Sequence, residues 1–70
     1  MIDPSQLDNW FTYHLPTPAQ QEKYVTIRDA ARRFAGLLNE LLPDCADKTA
    51  TMRHLRETVM NANATIACNE

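Results

Sequence analysis

The chain has 70 residues, a formal net charge of −2 and a hydrophobic content of 44%. A chain of this length forms a single domain, residues 1–70. It buries only about 60% of its unfolded surface, so it usually needs disulfide bonds, a structural metal or partner subunits. The slightly acidic balance argues against binding DNA, which requires a strongly basic surface, although a local basic cluster could still bind a small anion.

Disulfides and membrane anchors are not expected. Cys45 and Cys68 would lie roughly 35 Å apart on one helix, whereas a disulfide requires Cα atoms within about 7 Å. We therefore expect two reduced thiols, as in cytosolic proteins. The polar, acidic N-terminus does not resemble a signal peptide, and no apolar run approaches the ~20 residues that cross a bilayer.

The first predicted element is an N-terminal arm, residues 1–17. Asp3 is a suitable helix N-cap and Pro4 suits the first helical position, which predicts a short helix ending near Asn9. The next stretch, residues 11–16 (FTYHLP), is predicted to be extended because prolines restrict the backbone that precedes them.

Two long helices are predicted after the arm. The first covers residues 18–42, begins with a capping box of Thr17 and Gln20, and ends before Pro43. The second covers residues 46–67. Each carries apolar residues at alternating spacings of three and four, which is one helix face. The stripes are Tyr24, Ile27, Ala31, Phe34, Leu38 and Leu41, then Met52, Leu55, Val59, Ala62 and Ile66. The short connection predicts an all-α antiparallel helical hairpin.

The hairpin leaves some apolar side chains outside its seam, the strip along which the two long helices face each other. These are Val25, Leu37, Leu42 and Met60. A monomer would leave this surface in water, so we expect a homo-oligomer. Gly36, the only glycine, either marks a close contact with another subunit or is tolerated at a cost near 1 kcal/mol.

Enzyme signatures are absent from the sequence. There is no Gly-rich phosphate loop and no Cys/His set at metal-ligand spacing. We therefore predict neither catalysis nor a metal or cofactor. His54, between Arg53 and Arg56, is predicted to be a solvated surface residue.

The basic residues of the first long helix are better organised. Arg28 and Arg32 lie one turn apart with Lys23 and Arg33 nearby, a spacing that suits bidentate phosphate binding. The alternative is that they form ordinary surface ion pairs with Glu22 and Asp29.

Aromatic side chains precede these basic residues in the extended arm. We interpret Trp10 and Phe11 as hydrophobic anchors of the arm. Tyr13 is interpreted as a stacking surface, because an aromatic face beside arginines is a common way to hold a nucleotide.

The stretch from FTYHLPTPAQ to LLPD and the ending VMNANATIACNE resemble a phage family of small helical-hairpin sponges, the anti-CBASS and anti-Thoeris proteins. These sequester cyclic oligonucleotide signals of bacterial immunity. The resemblance implies a homohexamer in the host cytoplasm that binds its signals at subunit interfaces without cleaving them. It places the stacking tyrosine at Tyr13 and the phosphate-binding residue at Arg28. Asn61 departs from the pattern, since many members have an aromatic there.

The expected ligand is a cyclic dinucleotide, with cyclic trinucleotides at a second site left open. A two-fold interface would offer the same tyrosine and arginine to each half of such a ring. The expected ligand-binding residues are Thr12, Tyr13, His14, Lys23, Arg28 and Arg32. The rival interpretation is a small helical interaction protein that inhibits a host protein directly and uses these groups only incidentally.

Overall fold

Three α-helices form the fold in the computed structural model, which describes residues 1–70. α1 covers Pro4–Phe11, α2 covers Pro18–Leu41 and α3 covers Ala46–Asn69, and no strand is present. α2 packs against α3. Ile27, early in α2, lies near Ile66, late in α3, so the two helices are antiparallel. The predicted all-α helical hairpin is confirmed.

Local capping explains where the first two helices begin. Asp3 Oδ1 accepts hydrogen bonds from the backbone N and the Oγ of Ser5, each at 2.8 Å, and these bonds lower the pKa of Asp3. Thr17 and Gln20 form the predicted capping box, with bonds of 3.2 and 3.0 Å. Each cap satisfies helix N–H groups that have no partner inside the helix. α3 begins after Cys45 without a side-chain cap.

The arm is more helical than the sequence predicts. α1 continues to Phe11, two residues beyond Asn9, and extended backbone begins at Thr12, with φ −98° and ψ 137°. The prediction that Phe11 is extended was therefore wrong. Proline restricts only the residue immediately before it, so Pro16 acts on Leu15 and does not reach the end of α1.

The long helices also differ slightly from their predicted limits. α2 ends at Leu41, and Leu42 is its extended C-cap. α3 continues to Asn69, two residues beyond the predicted end at position 67. The proline at position 43 ends α2, whereas no proline or glycine follows in α3 to stop it earlier.

The seam between α2 and α3 is narrow. Ile66 is the only residue that is buried, at 8% exposure, and most other stripe residues are half-buried. Phe34 and Leu41 were predicted to face the seam but are exposed. Two helices cover only one strip of each other, so residues at the edge of an apolar stripe stay outside it.

The turn of the hairpin is closed by Lys48. Its ammonium group donates to the backbone O of Asn39 at 3.0 Å and to Asp44 Oδ1 at 2.9 Å. The Lys48 side chain is only 13% exposed. Its hydrogen bond and its charge hold the pKa of Asp44 below the usual range. Lys48 therefore joins the end of α2 to the first turn of α3.

The chain exposes more surface than a compact monomer of its mass. Its accessible surface is 5787 Å², whereas a folded monomer of this mass is expected to expose about 4,450 Å². The flat shape, 45 × 33 × 13 Å, accounts for the excess of about 1,300 Å². None of the three helices combines the length and the hydropathy that a membrane span requires.

Candidate functional site

A groove of about 500 Å³ lies between α2 and α3. Small side chains on α2 leave space between the helices, and larger apolar side chains on α3 form the opposite wall. The apolar lining residues are Ala31, Ala35, Met52, Leu55, Val59 and Met60. The groove therefore offers a wide apolar surface that is open to solvent.

Arginines are the remaining lining residues of this groove. Arg28 and Arg32 come from α2, and Arg56 comes from α3. None of them lies within 4.0 Å of a carboxylate oxygen, since the three such contacts of the chain involve Lys23, Lys48 and His54. The surface pairing of Arg28 or Arg32 with a carboxylate, considered from the sequence, does not occur.

Arg56 is the member of this set that the sequence analysis missed. It was assigned no role there beyond that of a neighbour of His54. The antiparallel packing of α3 on α2 brings it to the same groove as Arg28 and Arg32. The sequence does indicate this position, because Arg56 directly follows Leu55 of the apolar stripe and so lies at the edge of the seam.

Gly36 gives space to one of these arginines. A Cβ atom at this position would lie 3.1 Å from Arg32 Nη1 and would meet no other atom at close range. Within one chain, the close neighbour of the glycine is therefore the flexible end of an arginine side chain.

Tyr13 lies outside the groove. Its side chain is 80% exposed, and it is not among the lining residues. Arg28 lies ten residues into α2, about 15 Å along the axis from Pro18. The structure brings Arg28 and Arg32 together and leaves Tyr13 apart from both, so the expected pairing of tyrosine and arginine does not form within one chain.

The other expected site residues already have partners or other roles. Lys23 Nζ lies 2.5 Å from Glu70 Oε2 and links the start of α2 to the end of α3. His14 is half-buried, and its Nε2 donates to the backbone O of Asn9 at 2.6 Å. Thr12 is the exposed C-cap of α1.

The two aromatics interpreted as anchors do not bury the arm. Phe11 is 83% exposed, so its interpretation as an anchor was wrong, and Trp10 is 47% exposed. The arm is instead joined to α3 by a hydrogen bond of 2.9 Å from Asn9 Nδ2 to the backbone O of Cys68. Asn61, the position of the missing aromatic, is exposed on α3.

The chemistry available in the groove is binding. Guanidinium groups donate paired hydrogen bonds to phosphate, and an apolar surface accepts the face of a base or a sugar. No lining residue carries a nucleophile or a general base. No group of three or more His, Cys, Asp or Glu side chains is placed to hold a metal ion.

Comparison with known proteins identifies the family. No curated protein and no solved structure matches the chain significantly. The family described as "Acb2/Tad1, hairpin domain" matches residues 3–67, which include all of α1, the extended arm and α2, and nearly all of α3. The chain therefore belongs to the Acb2/Tad1 hairpin-domain family, the family of anti-CBASS and anti-Thoeris sponges.

Proposed function

We propose that this protein is a phage-encoded sponge that binds cyclic dinucleotide signals in the host cytoplasm and withholds them from the effectors of anti-phage immunity. The observation that carries the proposal is the apolar groove with three unpaired arginines, in a chain of the sponge family. Withholding a signal needs affinity and enough protein, and it needs no cleavage.

The groove suits a cyclic dinucleotide in size and in chemistry. Its volume of about 500 Å³ falls within the range of roughly 300–1,000 Å³ that is usual for small-molecule sites. A ring with two phosphates carries two negative charges, and Arg28, Arg32 and Arg56 supply a local excess of positive charge in a chain whose net charge is negative. The apolar wall would contact the bases or the riboses.

The proposed site is shared between copies of the chain. Tyr13 does not line the groove, so a ligand that contacts Tyr13 and Arg28 together would do so across a subunit interface. The excess surface of about 1,300 Å² exceeds the roughly 800 Å² that one partner contributes to a standard interface. This surface is enough for one standard contact per subunit, and the family resemblance supports a homohexamer.

Within that assembly we assign the expected residues as follows. Tyr13 stacks on a base, and Arg28 and Arg32 bind phosphate, with Arg56 added from α3. Thr12 lies next to the stacking tyrosine and can donate through its hydroxyl. Lys23 would contribute only where the ligand competes with Glu70 for its ammonium group.

Sequestration is tested by binding followed by recovery. The protein is titrated calorimetrically with 3′,3′-linked cyclic dinucleotides, and cyclic trinucleotides and NAD-derived cyclic signals are included in the same screen. The complex is then denatured by heat, and the released nucleotide is identified by chromatography. We expect the intact ring to return in the amount that was bound.

Two results would contradict the proposal. A linear or monomeric product would show an enzyme. Absence of binding to every cyclic nucleotide, together with inhibition of a host effector in its purified form, would establish the rival interaction protein. Arg53→Ala is the matched control, because Arg53 also lies on α3 but does not line the groove. This variant should bind as the wild type does.

A further inference from the structure

The ends of α1 and α3 meet at a small set of hydrogen bonds. The last four carbonyls of a helix have no N–H partner inside it. Two such carbonyls belong to Asn9, near the end of α1, and to Cys68, near the end of α3. Asn9 Nδ2 donates to the Cys68 carbonyl at 2.9 Å, and His14 Nε2 donates to the Asn9 carbonyl at 2.6 Å.

These contacts are the polar attachment of the arm to α3. Apart from the cap at Thr17, the hydrogen bonds between residues 1–17 and the hairpin all join Asn9 to Cys68. α1 has no fully buried residue, and its larger apolar side chains stay 40% to 83% exposed. The hydrogen bonds of Asn9 and His14, which we call the latch, therefore determine the path of the chain between α1 and α2.

Tyr13 lies in this segment, and no other residue holds its side chain in place. It directly precedes His14, and its ring is 80% exposed. The Nε2 atom of His14 is occupied by the Asn9 carbonyl. This nitrogen is therefore not free for a ligand, although the sequence had suggested His14 as a direct contact.

We propose that the latch positions Tyr13 for base stacking, so that His14 and Asn9 are positioning residues that act through the tyrosine. The inference rests on the proposed function, because it assumes that Tyr13 stacks on a cyclic dinucleotide. Holding a recognition side chain in its bound position before the ligand arrives reduces the ordering cost of binding. That cost is about 0.5–1.5 kcal/mol per side chain, or about 2- to 12-fold in affinity.

A double-mutant cycle separates positioning from direct contact. The variants are His14→Ala, Tyr13→Ala and the double variant, each titrated calorimetrically with 3′,3′-cyclic di-GMP and 3′,3′-cyclic di-AMP. We expect His14→Ala to weaken binding about 2- to 12-fold per contact in the wild-type background and to have no further effect when Tyr13 is already alanine. Losses that simply add would show that His14 contacts the ligand, and would overturn the inference.

Conservative variants test the hydrogen bond itself. His14→Gln keeps an amide donor near the position of Nε2 and should bind as tightly as the wild type, whereas removal of the donor should weaken binding about 2- to 12-fold. His14→Asn is the matched control, because its shorter side chain cannot reach the Asn9 carbonyl and should behave as alanine does. Asn9→Ala removes the other hydrogen bond and should reproduce the His14→Ala pattern. Equal affinities for the Gln and Asn variants would contradict the latch.

Trp10, the only tryptophan, reports on the arm without any ligand. It is the neighbour of Asn9 and is about half exposed. We expect His14→Ala to increase acrylamide quenching of its fluorescence while the helical signal in circular dichroism is retained. Unchanged quenching would mean that the latch does not hold the arm. Failure of the wild type to bind any cyclic nucleotide of the screen would overturn the proposed function, whereas binding with additive losses overturns the latch alone.

Discussion

Truncation of Tyr13 to alanine is expected to remove most of the affinity for cyclic dinucleotides and to leave the fold intact. The ring is 80% exposed, so its removal takes little packing from the free chain. Stacking of a base on an aromatic ring contributes about 1–3 kcal/mol, or about 5- to 150-fold in affinity. A two-fold site makes this contact twice, so the expected loss is about 2–6 kcal/mol, or about 30-fold to more than 10⁴-fold.

Calorimetric titration with matched variants measures this loss. Tyr13→Phe keeps the ring and should lose much less affinity than Tyr13→Ala. Phe11→Ala is the control for an exposed aromatic of the same arm, since Phe11 is 83% exposed and has no assigned role in the site. Circular dichroism and light scattering check that every variant keeps its helicity and its assembly.

Two results would contradict the stacking role of Tyr13. If Tyr13→Ala is folded and assembled and binds as tightly as the wild type, Tyr13 does not stack on the ligand. An equal loss in Phe11→Ala and Tyr13→Ala would show that the arm as a whole matters, and would remove the specific role given to the tyrosine.

Four further predictions concern the groove and the hairpin. Arg28→Ala should weaken nucleotide binding and Arg28→Lys should recover only part of it, because lysine keeps the charge and loses the planar pair of donors. Arg33→Ala, which does not alter the groove lining, should have no effect in the same titration. Gly36→Ala should raise the free energy of unfolding by up to about 1 kcal/mol, since only a flexible arginine end must move, and loss of the oligomer in light scattering would instead reveal a subunit contact at this position. Lys48→Met should lower the free energy of unfolding by about 1 kcal/mol in thermal denaturation, because the hydrogen bond to the end of α2 is lost. The lowered pKa of Asp44 means that its pairing with Lys48 stabilises the fold above about pH 4 and is lost as the pH falls through the folded pKa. The difference in melting temperature between wild type and Asp44→Asn should therefore shrink in acid, and a difference that grows in acid would contradict the pairing.

The helices of this protein could be predicted from the sequence because their determinants are local. The bond between Asp3 and Ser5 and the capping box of Thr17 and Gln20 join residues two or three positions apart. The apolar stripes repeat within each helix, and the proline at position 43 forces a break. These signals act over a few residues, so they do not depend on how the helices pack.

Only the tertiary structure decided which charged and polar groups are available for binding. Arg56 joins Arg28 and Arg32 because the antiparallel register of α3 on α2 brings them to one groove. Lys23 is paired with Glu70, 47 positions away in the chain. Asn9 reaches Cys68 across 59 positions. The register of two helices depends on how whole faces fit together, and no short stretch of sequence carries that information.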